Sequence, residues 1–280
     1  MCREFIRRSL AAIGVAACVA SARGATVPPG LDASGLAGWR EYIEAADHRA
    51  FAIAAGGVWH WVSALGDAEQ ARTQALAECA KRTTQTCITY AVDAQRVFDA
   101  DAWRRSLGPY APVAQARKMP VGTARGARMH DLAFTDASGA KTRLGALRGK
   151  VVVLHFWGSW CGPCRKELPE LQALRDALPR DADVVFVLLQ VREPIAVSRR
   201  WLAARGLNLP LADSGMRDEA DDGFATADGK RIADRRIARL FPTTYVLDRH
   251  GLVVFSHIGA VHDWMAYRDL LLDVAARSGR

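Results

Sequence analysis

Val151-Val152-Val153-Leu154-His155-Phe156-Trp157, followed by Gly158-Ser159-Trp160-Cys161-Gly162-Pro163-Cys164, reads as a buried strand that turns sharply into a helix. A nearly continuous apolar run of this length suits a strand covered on both faces, as in a parallel α/β sheet. The cysteines sit where the helix opens. There, unpaired N–H groups and the positive end of the macrodipole stabilise a thiolate, and the two-residue spacing lets the second sulfur close on the first. A thiol with a pKa of about 8.5 is only about 3% ionised at pH 7, whereas one lowered to about 7 is half ionised. Cys161, nearer the helix start, is therefore expected to be the nucleophile, and Cys164, one turn inside, the residue that resolves a mixed disulfide. The inert alternative is a structural disulfide or half of a zinc site, but zinc needs further ligands and no second Cys pair or nearby His set offers them.

Outward from this centre, buried strands and helices alternate, which implies an α/β sheet covered on both faces. A short strand is expected near residues 132–134, a second buried strand over 184–189, helices over 161–178, 194–204 and 263–276, and a hairpin over 245–258 turning at Arg249-His250-Gly251. Pro169 should kink the first helix rather than end it. Glu167 lies one helical turn from Cys164 and reads two ways, as a buried carboxyl that exchanges protons or as a surface charge beside Arg165 and Lys166. His155 reads as a satisfied core histidine or as a proton carrier under the cysteines. The acidic stretch 213–236 invites a calcium reading. Registering Gly223 as the sixth residue of an EF-hand loop puts Ala220 and Gly229 at ligand positions, so a solvated insertion is expected and no metal site.

On the N-terminal side, residues 108–128 hold three Pro, three Gly and no apolar period, and read as a linker. Before it, residues 30–107 read as a small α+β module. Ser34 is expected to cap a helix with Trp39, Tyr42, Ile43 and Ala46 on one face. Strands over 50–54 and 58–62 follow, joined through Gly56-Gly57, then a helix over 68–81 capped by Asp67, and a returning strand over 87–92. Cys79 and Cys87 fall at neighbouring ends of that helix and strand, placed for a disulfide staple. Such a short loop gains on the order of 2 to 3 kcal/mol in the chain-entropy model.

The 280 residues are half apolar and 24% charged, enough for two domains with real cores. Arg3, Arg7 and Arg8, an apolar stretch over 10–20 and Ala20-Ser21-Ala22 form the pattern of an export signal spanning residues 1–22. Val15-Ala16-Ala17-Cys18 also resembles a lipobox, so acylation of Cys18 is the second option. No later stretch is long and apolar enough to span a bilayer, and the mature protein is not expected to be transmembrane. The formal charge of +8 is spread among almost as many acids, which argues against a nucleic-acid partner. Of six cysteines, four fall after the signal, an even set expected as disulfides or redox dithiols in an oxidising compartment such as the periplasm.

Residues 129–280 resemble the thioredoxin superfamily, and within it the exported, reducing branch of TlpA and ResA type associated with cytochrome c maturation. The resemblance lies in Leu147-Arg148-Gly149-Lys150 leading into Phe156-Trp157-Gly158-Ser159-Trp160-Cys161-Gly162-Pro163-Cys164-Arg165-Lys166-Glu167-Leu168-Pro169, and in Phe241-Pro242-Thr243-Thr244-Tyr245-Val246-Leu247-Asp248. It implies a thioredoxin-like fold, a cis Pro242 facing the cysteines, and a substrate platform formed by Trp160, Phe241, Pro242 and Gly259. Glu167 matches an acid of the reducing branch, while His155 departs from the family, which has an acid or Asn there. The implied function is reduction of protein disulfides by dithiol-disulfide exchange. It needs no small-molecule cofactor, and its electrons come from a membrane thiol-reducing partner. The rivals are a disulfide oxidase or isomerase of folding proteins and a non-enzymatic binding or assembly protein. The Pro/Thr/Cys arrangement of a peroxiredoxin is absent. The module at 30–107 resembles one found in exported bacterial proteins and implies no chemistry.

Overall fold

The computed structural model describes residues 26–108, 110–261 and 263–279. The expected export signal, with Cys2 and Cys18, lies outside them. The first module runs α1 (Ala33–Glu44), β1 (Ala50–Ala54), β2 (Val58–Val62), α2 (Ala68–Ala80), β3 (Ile88–Val92), β4 (Gln95–Arg96) and α3 (Ala100–Leu107), with an antiparallel sheet in the order β2-β1-β3-β4. Asp32, not Ser34, caps α1 by accepting the Gly35 N–H at 2.7 Å, and the Ser34 hydroxyl donates to the same carboxylate. The buried stripe is also narrower than expected. Trp39 and Tyr42 are buried, but Ile43 is 41% exposed and Ala46 lies past the helix end.

The two faces of this sheet are packed by different chemistry. Phe51, Ile53 and Tyr90 meet Trp39 and Tyr42, with Trp39 stacked on Tyr42 at 5.1 Å and edge-on to Phe51 at 5.2 Å. On the opposite face Ala50, Ala52 and Ala54 lie against Ala71, Ala75 and Cys79, small residues that let α2 approach closely. Asp67 caps α2 as expected, and Cys79 is joined to Cys87 across a Cα separation of 6.2 Å.

The second sheet has seven strands in the order β13-β12-β7-β8-β9-β5-β6. They are β5 (Ala133–Thr135), β6 (Lys141–Arg143), β7 (Val151–Trp157), β8 (Val184–Gln190), β9 (Leu211–Asp213), β12 (Thr243–Leu247) and β13 (Val253–Ile258). The β7–β8 and β8–β9 pairs are parallel and the others antiparallel, which makes the sheet mixed. Side chains alternate along β7. Val151, Val153 and Trp157 face α5 (Gly162–Ala177), α6 (Ile195–Ala203) and α7 (Arg268–Arg277), whose Leu171, Leu202 and Leu271 share one core with them. Val152, Leu154 and Phe156 face 3-10 turns at Leu144–Leu147 and Asp234–Arg236 and a hairpin of β10 (Gly223–Ala225) and β11 (Arg231–Ala233). The acidic stretch expected to be a solvated insertion thus contributes Phe224 and Ile232 to a core, because those two side chains alternate inward between its charges.

The stretch expected to be a linker is also ordered. It carries the short α4 (Val113–Ala116), and residues 126–128 lie against β13, where Gly126 N–H donates to Val253 O and Val253 N–H to Ala127 O. The first module is seated on the same side. Ala55 and Leu107 enter the core beneath α5, Gln85 donates to Val254 O at 3.2 Å, and Tyr110 bonds Asp273 at 2.6 Å. The β1–β2 turn meets the same side, where a Cβ at Gly56 would stand 2.8 Å from the Tyr267 ring and 2.9 Å from that of Phe255, and within the module it packs on the chain at Gly30. Gly56 and Gly57 both have positive φ, and a Cβ at Gly57 would stand 2.7 Å from Gly30 O. Gly57→Ala should therefore cost more than the roughly 1 kcal/mol of positive φ alone. A denaturation midpoint unchanged from the parent in urea would show that this contact has slack.

Candidate functional site

The C-terminal end of β7 delivers the chain into a turn at Gly158-Ser159, and α5 begins one residue after Cys161. Cys161 is the N-cap, and its Sγ accepts the Cys164 N–H at 3.2 Å. The two cysteines are joined as a disulfide, with Cys161 5% exposed and Cys164 fully buried. The outer sulfur is thus the one an incoming group can reach, and it sits where a helix N-terminus stabilises negative charge.

Trp160 is 49% exposed and edge-on to Phe241 at 5.7 Å, with the Phe241–Pro242 bond cis. Gly259 N–H donates to Pro242 O at 2.8 Å, which brings the end of β13 beside the proline. The structure therefore gathers Cys161, Cys164, Trp160, Phe241, Pro242 and Gly259 in one region, with exposed Leu240 and Ile258 as its apolar margin. Cys79 and Cys87 are held in the first module, among small residues on its sheet.

Glu167 is 3% exposed, a buried carboxyl and not a surface charge beside Arg165 and Lys166. Its Oε2 accepts the Val261 N–H at 2.8 Å and the Trp264 indole N–H at 3.2 Å. Its Oε1 has no hydrogen-bond partner and stands 3.5 Å from His155 Nε2, which has none either. Burial pushes the Glu167 carboxyl up to about 8, against the pull of its two donors, and pushes the fully buried His155 down to about 3. Both shifts favour the uncharged forms, a carboxyl facing an imidazole rather than an ion pair. His155 Nδ1 pairs with Thr244 Oγ1 at 2.9 Å. With that nitrogen donating, Nε2 turns its lone pair toward Glu167 Oε1.

A second acid was not singled out from the sequence. Glu193, 6% exposed, accepts Ser159 N–H at 2.7 Å and the Ser159 hydroxyl at 2.6 Å, and Ser198 Oγ also donates to it. Trp160 Nε1 donates to Val191 O at 3.1 Å, so the loop after β8 holds the two residues that precede Cys161. Arg192 adopts positive φ and grips the buried Asp234 with Nε and Nη2 at 2.7 and 3.1 Å. The available signal was position, since functional groups of open α/β sheets cluster at the carboxyl ends of their strands. Among the described residues no group of three or more His, Cys, Asp or Glu is arranged to hold a metal, and no helix is long and apolar enough to cross a membrane.

Residues 117–270 match the Redoxin family. The thioredoxin-like protein YneN of Bacillus subtilis is 30% identical over 145 residues, which is 51% of this chain and 77% of YneN. The thiol-disulfide oxidoreductase ResA of Bacillus thuringiensis is 29% identical over 147 residues, 52% of this chain and 74% of ResA. Among solved structures, StoA from Bacillus subtilis is similar with a TM-score of 0.37 at 24% identity, covering 50% of this chain and 93% of that one.

The Glu167 carboxyl has a testable signature. Its pKa is about 8 folded and about 4.3 unfolded, so the folded state binds the proton more tightly between those values. The stability this gives is full below about pH 4.3 and is lost as pH rises through about 8. In the disulfide form, the Tm of the parent should therefore fall more steeply between about pH 5 and 8 than that of Glu167→Gln. Parallel curves would mean that Glu167 is already ionised in the fold.

Proposed function

Because this chain belongs to the Redoxin family and is a thioredoxin-like thiol-disulfide oxidoreductase, we propose that it acts as an exported reductant of protein disulfides, of the kind used in cytochrome c maturation. The observation that carries this reading is Cys161 Sγ at the N-cap of α5, at the edge of an exposed apolar surface, with Cys164 buried behind it.

In the reduced protein the Cys161 thiolate attacks one sulfur of a substrate disulfide, forming a mixed disulfide and releasing the other substrate sulfur as a thiolate that takes up a proton. Cys164 then loses its proton and attacks Cys161 Sγ. The Cys161–Cys164 disulfide forms, the mixed disulfide breaks, and the second substrate thiol leaves. Two electrons pass to the substrate. The Cys164 thiol is enclosed, so its proton needs a carrier, and Glu167 lies one helical turn further along α5 with a carboxyl poised to change charge near pH 8. His155 is the second carrier, facing the Oε1 that has no other partner. Trp160, Phe241, Pro242 and Gly259 form the platform on which the substrate segment lies.

Export is supported by the basic, then apolar, then small-residue pattern of residues 1–22. Reduction, rather than oxidation, is supported by Gly162-Pro163 between the cysteines and by the likeness to the reducing branch. Regeneration then requires a thiol-reducing donor at the membrane.

The decisive measurement is the reduction potential of the Cys161/Cys164 pair in glutathione and dithiothreitol buffers. A value near about −270 mV is expected. One near about −120 mV would make the protein an oxidase instead. Cys161→Ser should abolish exchange, and Cys164→Ala should accumulate the mixed disulfide.

A further inference from the structure

The sheet of the first module ends on one side at β2, Val58-Trp59-His60-Trp61-Val62, and all five residues are half-buried. Among the described residues β2 pairs with β1 alone. Edge strands are usually blunted by charge, proline or brevity, whereas this one has no Lys, Arg, Asp, Glu or Pro: Trp59 and Trp61 pack on the α1 side of the sheet, Val58 and Val62 on the α2 side, and the backbone edge between them is left uncovered by charge. Beside it lies a cleft of ≈ 330 Å³. Val58, Trp59 and His60 line one wall, and Ala260, Val261 and Tyr267 line the other. Successive strand residues point to opposite faces, so a cavity touching 58, 59 and 60 in turn runs along the strand's edge rather than over one face.

The far wall belongs to the redox site. Val261 donates its N–H to Glu167, shares a core with both cysteines, and follows Gly259, whose N–H is bonded to Pro242 O. Ile258, 48% exposed, lies between the cleft residue His257 and that glycine. The cleft is also fixed in shape, because the Gly56-Gly57 turn is in close contact with Tyr267, Phe255 and Gly30. Binding there pays no cost of closing one module onto the other. The rim carries Asp32 and Arg82 on the module side and Asp263 opposite, while the strand that faces the cleft brings no charge of its own.

We propose that this cleft is a second subsite for the polypeptide substrate, in which an extended, apolar segment flanking the substrate cysteine adds to the edge of β2 while the cysteine itself is engaged at Cys161. Strand addition gives affinity through main-chain hydrogen bonds and selectivity through alternate side chains. The first module then acts in substrate selection. This rests on the oxidoreductase reading above.

The test uses the full exported chain carrying Cys164→Ala, with Cys161 held as its glutathione mixed disulfide. Two peptide thiols compete to displace glutathione, one with Val-Thr runs flanking its cysteine and one with Gly-Ser runs. In each exchange a Cys161–peptide disulfide forms and one glutathione thiol leaves, so mass spectrometry of the two adducts gives the ratio at equilibrium. The Val-Thr adduct is expected in about tenfold excess, falling to near parity when His60→Lys or His60→Asp places a charge beside the edge. Displacement by the Gly-Ser peptide, unchanged in both variants, shows that they are folded. An excess of the same size in the variants, or none in the parent, overturns the subsite. If neither peptide displaces glutathione, it is the oxidoreductase reading that fails.

Discussion

One carboxyl oxygen, Glu167 Oε2, ties together segments that are far apart in sequence. It sits on α5, accepts the backbone N–H of Val261 beyond β13, and accepts the indole N–H of Trp264 ahead of α7. Burying a carboxyl without donors is costly, so its two hydrogen bonds and its retained proton are what make this position tolerable. In return the redox helix is fixed to the chain that follows the cis proline. That same chain continues to Tyr267, whose ring meets Phe255 at 5.0 Å and bounds the Gly56 turn of the first module. The seat of the module and the floor beneath the disulfide are therefore one piece of structure.

The opposite flank of the disulfide uses a carboxyl in a different environment. Glu193 is surrounded by donors from Ser159 and Ser198, and it holds the loop in front of Cys161 while the Arg192–Asp234 pair anchors that side to the 3-10 turn after β11. Two acids thus bracket the two cysteines. Burial pushes the Glu167 carboxyl toward its protonated form, whereas Glu193 accepts from two hydroxyls and a backbone amide. The contrast comes from neighbours and not from residue type.

Much of this was legible in the sequence wherever local pattern and burial agree. The β7 run, the helix opening at Cys161, the Gly56-Gly57 turn and the Cys79–Cys87 staple all follow from period, capping and spacing. The ends of α1 were misplaced because Asp32 and Ser34 are both good caps two residues apart, and only the helix register chooses between them. The acidic stretch concealed Phe224 and Ile232, single inward residues that carry no periodicity of their own. The 108–128 stretch was read as a spacer from composition, although tertiary pairing with β13 orders its end. For the site, the motif marked the cysteines and the proline, and spacing brought Glu167 near them. Its hydrogen bonds come from residues about a hundred positions away, and Glu193 is some thirty residues from the loop it holds, so no short window of sequence contains either arrangement.

The docked turn of the first module also bears on how portable the redox domain is. Thioredoxin-like domains can be thought of as cassettes, complete in themselves and free to be fused elsewhere. Here Ala55 and Leu107 fill positions in the core beneath the redox helix, and Gln85 satisfies the Val254 carbonyl. Cutting the chain before residue 117 would expose Phe255 and Tyr267 to water and leave that carbonyl without its protein partner. The oxidoreductase half of this protein is a fragment that borrows part of its interior, and any graft of it would have to bring a replacement for the turn that now fills the gap.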